Sequence, residues 1–214
     1  MQTTYSTFLL AGQTVHCITF DPTTFTDADL LWLPHHQLLS EAGRKRKADH
    51  LAGRIAAFHA LKRQAIPGIG SSGEPLWPEG VSGSISHSGT QAVAIYQERG
   101  IVGIDCEAII NEREAREIQD GVIDAREAQL LAGSGLPFDL AFTLTFSAKE
   151  SLFKALFPQV QAWMGFDSAR ATALTANTLT LSLSHPFPPF AQNQAFTLHW
   201  SQINTQVITL ICDA

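Results

Sequence analysis

The sequence predicts an α+β chain made of two halves with a similar outline, helices plus a small sheet in each. Helical periodicity is one basis for this. Ala48, Leu51, Ala52, Ile55 and Phe58, and later Phe146, Lys149, Glu150, Phe153 and Phe157, recur at the spacing of one helical face. Strand-like runs are the other. SISHS, AVAIY and IVGIDCE lie between the two helices, and four more runs follow the second, bounded by Gly, Pro, Asp and Ser.

In chain order, Val15 to Phe20 (VHCITF) reads as a strand closed by the turn residues Asp21 and Pro22. Leu30 to Ser40 reads as a short helix broken by Pro34. From about Glu41 to Ala65 a longer helix is expected, stopped by Pro67 and Gly68. Residues 67 to 83 form a Gly/Pro/Ser-rich loop, too long for a simple connection and so a candidate for function. Ser84 to Ser88 and Ala92 to Tyr96 follow as strands. In Ile101 to Glu107, Val102, Ile104 and Cys106 face one way and Gly103, Asp105 and Glu107 the other. Asn111 to Leu131 is expected to be helical, split near Gly121, with Asp124 capping the second piece. After the 142 to 157 helix comes a loop whose Trp163, Met164 and Phe166 suggest an apolar surface contact. Strands are then expected at 171 to 174, 179 to 183, 195 to 200 and 207 to 211, with HPFPPF as a long connection.

The bulk composition narrows the function. With 214 residues, 45% hydrophobic and 16% charged, the chain has material for one large or two small cores and is not expected to be disordered. No window is apolar enough to span a bilayer, and MQTTYSTFLLAG carries no basic segment ahead of its apolar run, so a cytoplasmic protein is expected. Cys17, Cys106 and Cys212 are odd in number and lack C-x-x-C spacing, which predicts buried free thiols. The eight histidines show no zinc-like spacing. The net charge of −6 argues against binding a nucleic-acid polymer. That charge is uneven: residues 1 to 103 balance at zero, and seven basic residues gather between Arg44 and Arg63. Such a cluster suits a small phosphorylated ligand. A solvated helical face is the alternative. Arg46 and Arg54, two turns apart and separated by roughly 12 Å, point the same way and could grip phosphates.

Two further groups carry chemistry. Asp105 and Glu107, at i and i+2 of one strand, lie roughly 7 Å apart and can converge on a hard cation such as Mg²⁺; a solvated edge strand is the bland alternative. Glu150 and Lys154, at i and i+4, bring a carboxylate and an ammonium into one small volume, enough for one proton transfer. Against that, Ser147 and Glu150 read as a capping box that starts the helix and leaves both lysines solvated. His87, at a strand end beside a turn, could donate to an anion or simply be a satisfied cap.

GIDCE at 103 to 107 and FSAKESLFKA at 146 to 155 resemble the two signature motifs of the 4′-phosphopantetheinyl transferases, G-I-D-x-E and [FW]-x-x-K-E-x-x-x-K, at about the usual separation. GEPLWP and SISHS precede them in the expected order. RKRKADHLAGRIAA and GLPFDLAFTLTFSAKESLFKALF further resemble the enterobactin-synthase component D branch, and the likeness covers roughly residues 40 to 170. The resemblance implies transfer of the phosphopantetheine arm of coenzyme A to a serine of an apo carrier protein (peptidyl, aryl or acyl), with release of adenosine 3′,5′-bisphosphate and service in siderophore or other nonribosomal peptide synthesis. By matching positions it implies Asp105, Glu107 and Glu150 as Mg²⁺ ligands, with Glu150 also the base toward the carrier serine. Lys154 would neutralise the departing phosphate. Arg46, Arg54, Ser72, Gly73, Ser86 and His87 would contact coenzyme A.

Glu74 departs from the pattern, standing where many members carry a phosphate-binding lysine. The family fold is a pseudo-twofold pair of α+β halves with coenzyme A in the cleft between them. This implies a coenzyme A-binding half at residues 1–103, a catalytic half at 104–214, and a monomer. Two rivals remain from the residues alone. One is a non-enzymatic coenzyme A or nucleotide-binding module. The other is an Mg²⁺-dependent phosphoesterase, for which no histidine or extra carboxylate is available to organise a hydrolytic water.

Overall fold

The structure, a computed structural model, describes residues 1–213. It divides into two compact units, Met1–Gly100 and Ile101–Asp213. Each contains one main antiparallel sheet crossed by one long helix, the α+β architecture expected.

In the first unit, β1 (Gln2–Leu10) and β2 (Gln13–Asp21) form a long hairpin, and α1 spans Arg44–Ala60. A two-residue β-ladder, β3 (Gly68–Ile69) with β4 (Pro75–Leu76), precedes β5 (Ser82–Ser88) and β6 (Gln91–Gln97). The sheet order is β1-β2-β6-β5, all antiparallel. Strand β1 escaped the sequence reading because its side chains are exposed along most of its length and leave no apolar alternation. Its signal is the turn: Ala11 and Gly12 both have positive φ, as a tight two-residue hairpin connection requires. Residues 27–32 and 36–39 are 3₁₀ helices rather than one broken α-helix. Helix α1 ends at Ala60, short of Pro67, because Lys62 and Arg63 turn left-handed. Ala48, Ala52, Ala56 and Ala57 line its buried face against β2 and β6, so the helix backbone can lie close to the sheet.

In the second unit, β7 (Ile101–Ala108) is followed by α2 (Glu112–Ile118), α3 (Ala125–Gly133) and α4 (Phe138–Val160). Strands β8 (Ala169–Leu174), β9 (Thr178–Leu183), β10 (Ala195–Ile203) and β11 (Gln206–Asp213) complete a five-stranded sheet in the order β7-β11-β10-β9-β8. Asp124 caps α3 in a capping box with Glu127, as its position predicts. Helix α4 lies across β7 and β11. It starts eight residues before Phe146, after Pro137, so Ser147 is deep in its interior and no capping box forms there. The deepest stripe of α4 is Leu144, Ala148, Leu152, Ala155 and Leu156; Phe146, Phe153 and Phe157 are only partly buried. Of the three residues expected as a surface contact, Met164 is buried and Phe166 packs on Phe146 and Phe153, whereas Trp163 is 90% exposed. Cys17, Cys106 and Cys212 form no disulfide; Cys17 and Cys106 are buried as expected, whereas Cys212 is only partly buried. No helix among the described residues is long and apolar enough to cross a membrane.

Candidate active site

The two signature segments meet in the second unit because Gly103 lets them. A Cβ on Gly103 would sit inside the Ser151 carbonyl oxygen and crowd Ala155, so only glycine allows the α4 backbone to lie directly on β7. Two residues further along the same face, Asp105 points under the helix and is 5% exposed. The polar face of β7 is therefore covered, not a solvated edge.

Both Asp105 oxygens are held from α4. The Lys154 ammonium donates to Oδ1 at 2.7 Å and also reaches the Ile104 carbonyl at 3.3 Å. The Ser147 hydroxyl donates to Oδ2 at 2.7 Å. Glu150 is close enough to feel both charged partners. Burial pushes its carboxyl above the usual range, the Lys154 ammonium opposes that, and the Asp105 charge adds to it. Asp105, Glu150 and Lys154 thus share one electrostatic environment, with two carboxylates facing one ammonium. Glu107 lies at the end of β7, partly buried, with Oε1 accepting the Ala108 backbone N–H at 3.2 Å.

The oxygen donors suit a hard cation such as Mg²⁺: burial raises the Glu150 carboxyl first, and the Asp105 charge adds a smaller repulsion of the kind a cation relieves. The residues fit in that chemical sense. Among the described residues, no three His, Cys, Asp or Glu side chains stand gathered as a formed ion site.

Lys149, next to Glu150, has a different role. It is 1% exposed, and its ammonium donates to the Val122 and Phe166 carbonyls at 2.6 and 2.9 Å and pairs with Glu127 at 2.9 Å. Glu127 also accepts the backbone N–H groups of Asp124 and Ala171. Burial lowers the lysine's affinity for its proton, and the hydrogen bond and charge of Glu127 oppose that. The capping-box alternative, with both lysines solvated, is overturned: one is buried in an ion pair and the other is bound to Asp105.

In the first unit, the basic cluster on α1 is largely engaged. Lys45 pairs with Asp49 at 2.6 Å, Lys47 with Asp27 at 3.1 Å, and Arg44 donates to the Pro22 and Thr23 carbonyls. Arg46 is exposed. Arg54 is only 4% exposed, and it donates to the carbonyls of Pro67 and Gly68, both at 2.8 Å, which ties the Gly/Pro-rich loop to the helix. Burial pulls its pKa down to about 10, still charged at neutral pH. The two arginines therefore do not present equal phosphate grips. In the loop, Glu74 turns back to accept the Ser72 N–H at 2.9 Å and lies against Gly70, while Gly73 adopts positive φ. The acidic residue is used within its own turn. Ser86 is buried on β5, and the neighbouring His87 lies half exposed with Nδ1 at 3.7 Å from Asp49.

Sequence reasoning missed two groups. His35 and His50 meet Nε2 to Nε2 at 2.9 Å. His50 is pulled down to about 3 by burial, then by Arg54, His35, Arg46 and His87, so the pair is neutral at physiological pH. The other group is the set of hydroxyls behind Asp105: Ser147, Ser151 and Thr209, each fully buried. Their only trace in the sequence is two serines four apart in an apolar helix.

Comparison with known proteins follows the same division. A family model described as the 4′-phosphopantetheinyl transferase N-terminal domain matches residues 34–97, and one described as the 4′-phosphopantetheinyl transferase superfamily matches residues 101–210. The chain is 46% identical over 214 residues to an enterobactin synthase component D of Salmonella typhi, covering 99% of this chain and 91% of that protein. It is 42% identical over 215 residues to that of Escherichia coli, covering 99% and 98%. It is 32% identical over 148 residues to the 4′-phosphopantetheinyl transferase Npt of Nocardia iowensis, covering 63% of each chain.

Proposed function

The chain belongs to the 4′-phosphopantetheinyl transferase superfamily, and from that membership we propose that it moves the phosphopantetheine arm of coenzyme A onto a serine of an apo carrier protein in siderophore synthesis. The observation that supports this most directly is the Asp105–Lys154 contact at 2.7 Å with Glu150 in the same electrostatic environment. It unites the two signature segments across forty-nine positions of sequence.

The carrier serine oxygen attacks the phosphorus that bears the pantetheine arm. The bond from that phosphorus to the oxygen of adenosine 3′,5′-bisphosphate breaks, and the serine proton passes to the Glu150 carboxylate. A carboxylate within reach of the attacking hydroxyl is the general base such a step requires. Lys154, which compensates Asp105, is the cation proposed to offset charge on the phosphate oxygens as it moves to the leaving group. Asp105, Glu107 and Glu150 would hold Mg²⁺, which when bound supplies charge neutralisation at the pyrophosphate.

In the first unit, Arg46, Ser86 and His87 are the proposed contacts for coenzyme A, with Ser72 and Gly73 as further proposed contacts from the loop, although their backbone N–H groups are donated within it to Glu74 and to the Gly70 carbonyl. Arg54 acts there both by its own charge and by holding the loop's Pro67 and Gly68 carbonyls. We take the acting form to be a cytoplasmic monomer.

The test is incubation with coenzyme A, Mg²⁺ and apo carrier proteins from siderophore, polyketide and fatty-acid systems, read by intact mass. Addition of one phosphopantetheine to a siderophore carrier is expected. Phosphopantetheine freed without any carrier would make the protein a phosphoesterase, and coenzyme A binding with no transfer to any carrier would make it a binding module.

A further inference from the structure

Behind Asp105 lie three hydroxyls with no exposure: Ser147 and Ser151 on α4 and Thr209 on β11. Thr209 is the register partner of Asp105 across the β7–β11 ladder, so the two side chains emerge on the same face, toward the helix. Ser147 Oγ lies 2.7 Å from Asp105 Oδ2 and 2.9 Å from Thr209 Oγ1. Thr209 Oγ1 lies 2.7 Å from Ser151 Oγ, which also reaches the Thr209 carbonyl at 2.9 Å.

Proton counting gives this set a direction. A carboxylate only accepts, so the single Ser147 proton goes to Asp105. Ser147 then accepts the single Thr209 proton, and Ser151 donates back onto Thr209. The order Thr209 to Ser147 to Asp105 uses each of those protons once and ends on the carboxylate, while the single Ser151 proton is shared between the Thr209 carbonyl and hydroxyl. Other polar residues in α4 behave differently: Thr143 and Thr145 bond back to the carbonyls of Asp139 and Ala141 in their own helix, at 2.7 and 2.9 Å. That is the ordinary use of a hydroxyl inside a helix. Ser147 and Ser151 instead cross to the sheet. On packing and helix propensity alone, alanine would serve better at both positions.

We infer that Ser147, Thr209 and Ser151 are positioning residues for Asp105, a directed chain of buried hydroxyls that fixes the rotation of its carboxylate. With Oδ2 held from behind by Ser147, Oδ1 stays on Lys154, and the carboxylate keeps one attitude toward Glu150. The inference rests on the proposed function only in giving Asp105 a part in transfer; the hydroxyl chain is a property of the second unit by itself.

The test compares wild type with Thr209→Val, Thr209→Ser and Ser147→Ala. Valine is isosteric with threonine and keeps the strand and its packing while removing the hydroxyl. Three readouts are taken: Mn²⁺ binding followed by the electron paramagnetic resonance signal of the free ion, single-turnover transfer with kcat and the KM for coenzyme A, and thermal unfolding. Thr209→Val and Ser147→Ala should each weaken Mn²⁺ binding and lower kcat by about tenfold to a hundredfold, as loss of a group that orients a ligand does. The KM for coenzyme A should stay near wild type. Thr209→Ser, which keeps the hydroxyl, should retain both. The double variant should be no worse than the weaker single variant, because both break one chain.

Equal Mn²⁺ affinity in wild type and Thr209→Val would overturn the inference, as would a Thr209→Ser loss as large as that of Thr209→Val, which would trace the effect to the methyl group. Losses confined to the unfolding temperature would do the same. If wild type itself transfers nothing, the proposed function fails, while the Mn²⁺ comparison still decides the hydroxyl chain.

Discussion

Lys154 is one ammonium serving two carboxylates, which makes each of the three sensitive to loss of another. Removing Glu150's charge should abolish the group that receives the serine proton while sparing the fold, since Glu150 is mid-helix and caps nothing. Glu150→Gln is therefore expected to slow single-turnover transfer by about two orders of magnitude or more with little change in unfolding temperature. Lys154→Met should also slow transfer and keep its apolar stem, but it leaves Asp105 buried without its ion-pair partner, so some stability should go with it. Normal transfer by Glu150→Gln would remove it from the chemistry. His50 gives a second prediction. Its pKa is about 3 in the folded protein against an ordinary 6.5, so between those values the unfolded chain binds the extra proton. Stability contributed by the neutral imidazole is present above pH 6.5 and is lost as pH falls from there toward 3. His50→Gln should flatten the fall of unfolding temperature between pH 7 and pH 4.5 relative to wild type; parallel curves would show that His50 does not govern it.

At the level of elements, the site depends on how closely α4 lies on β7. Gly103→Ala places a methyl group against the Ser151 backbone carbonyl, which cannot yield without moving the helix. It should cost about 1–3 kcal/mol of stability or somewhat more, measured by urea unfolding, and transfer by the folded fraction should fall because Lys154 and Ser147 move away from Asp105. Undiminished activity would show that the close approach is not needed. Lys149 and Glu127 fix the same helix on its other side, through carbonyls of the segments before α3 and after α4 and a backbone N–H of β8. In the first unit Arg54 connects α1 to the 67–83 loop. Arg54→Ala is expected to raise the KM for coenzyme A and to lower the unfolding temperature together, because truncation frees two carbonyls as well as removing a charge, at about 1–3 kcal/mol for unsatisfied groups. A KM change with unaltered stability would assign Arg54 to the ligand alone.

For the molecule as a whole, binding should appear as stability even before any carrier protein is added. Coenzyme A with Mg²⁺ should raise the unfolding temperature, by an amount equivalent to about 2.7 kcal/mol at a hundredfold excess over the dissociation constant, and should do so more than either component alone. No shift at millimolar coenzyme A would contradict the proposed function. Much of this molecule is legible in its residues. The period of α1 and α4, the alternation of β7 and the four C-terminal strands follow from local apolar spacing, and the motif residues Asp105, Glu150 and Lys154 are identifiable because their chemistry is carried by residue type and short-range order. The sequence by itself therefore determined the fold class, the family and the candidate residues of the site. The tertiary structure decided which of those residues are spent on one another. Ser147 read as a helix cap because the true start of α4, at Phe138 after Pro137, carries a weaker local signal than S-x-x-E. Lys149 read as solvated because its partner Glu127 lies twenty-two positions earlier, and Thr209 was invisible because its partner Ser147 lies sixty-two positions away. Hydrogen bonds of that separation leave no periodicity in the sequence; they exist only once the helix has settled on the sheet, and burial then makes each of them obligatory.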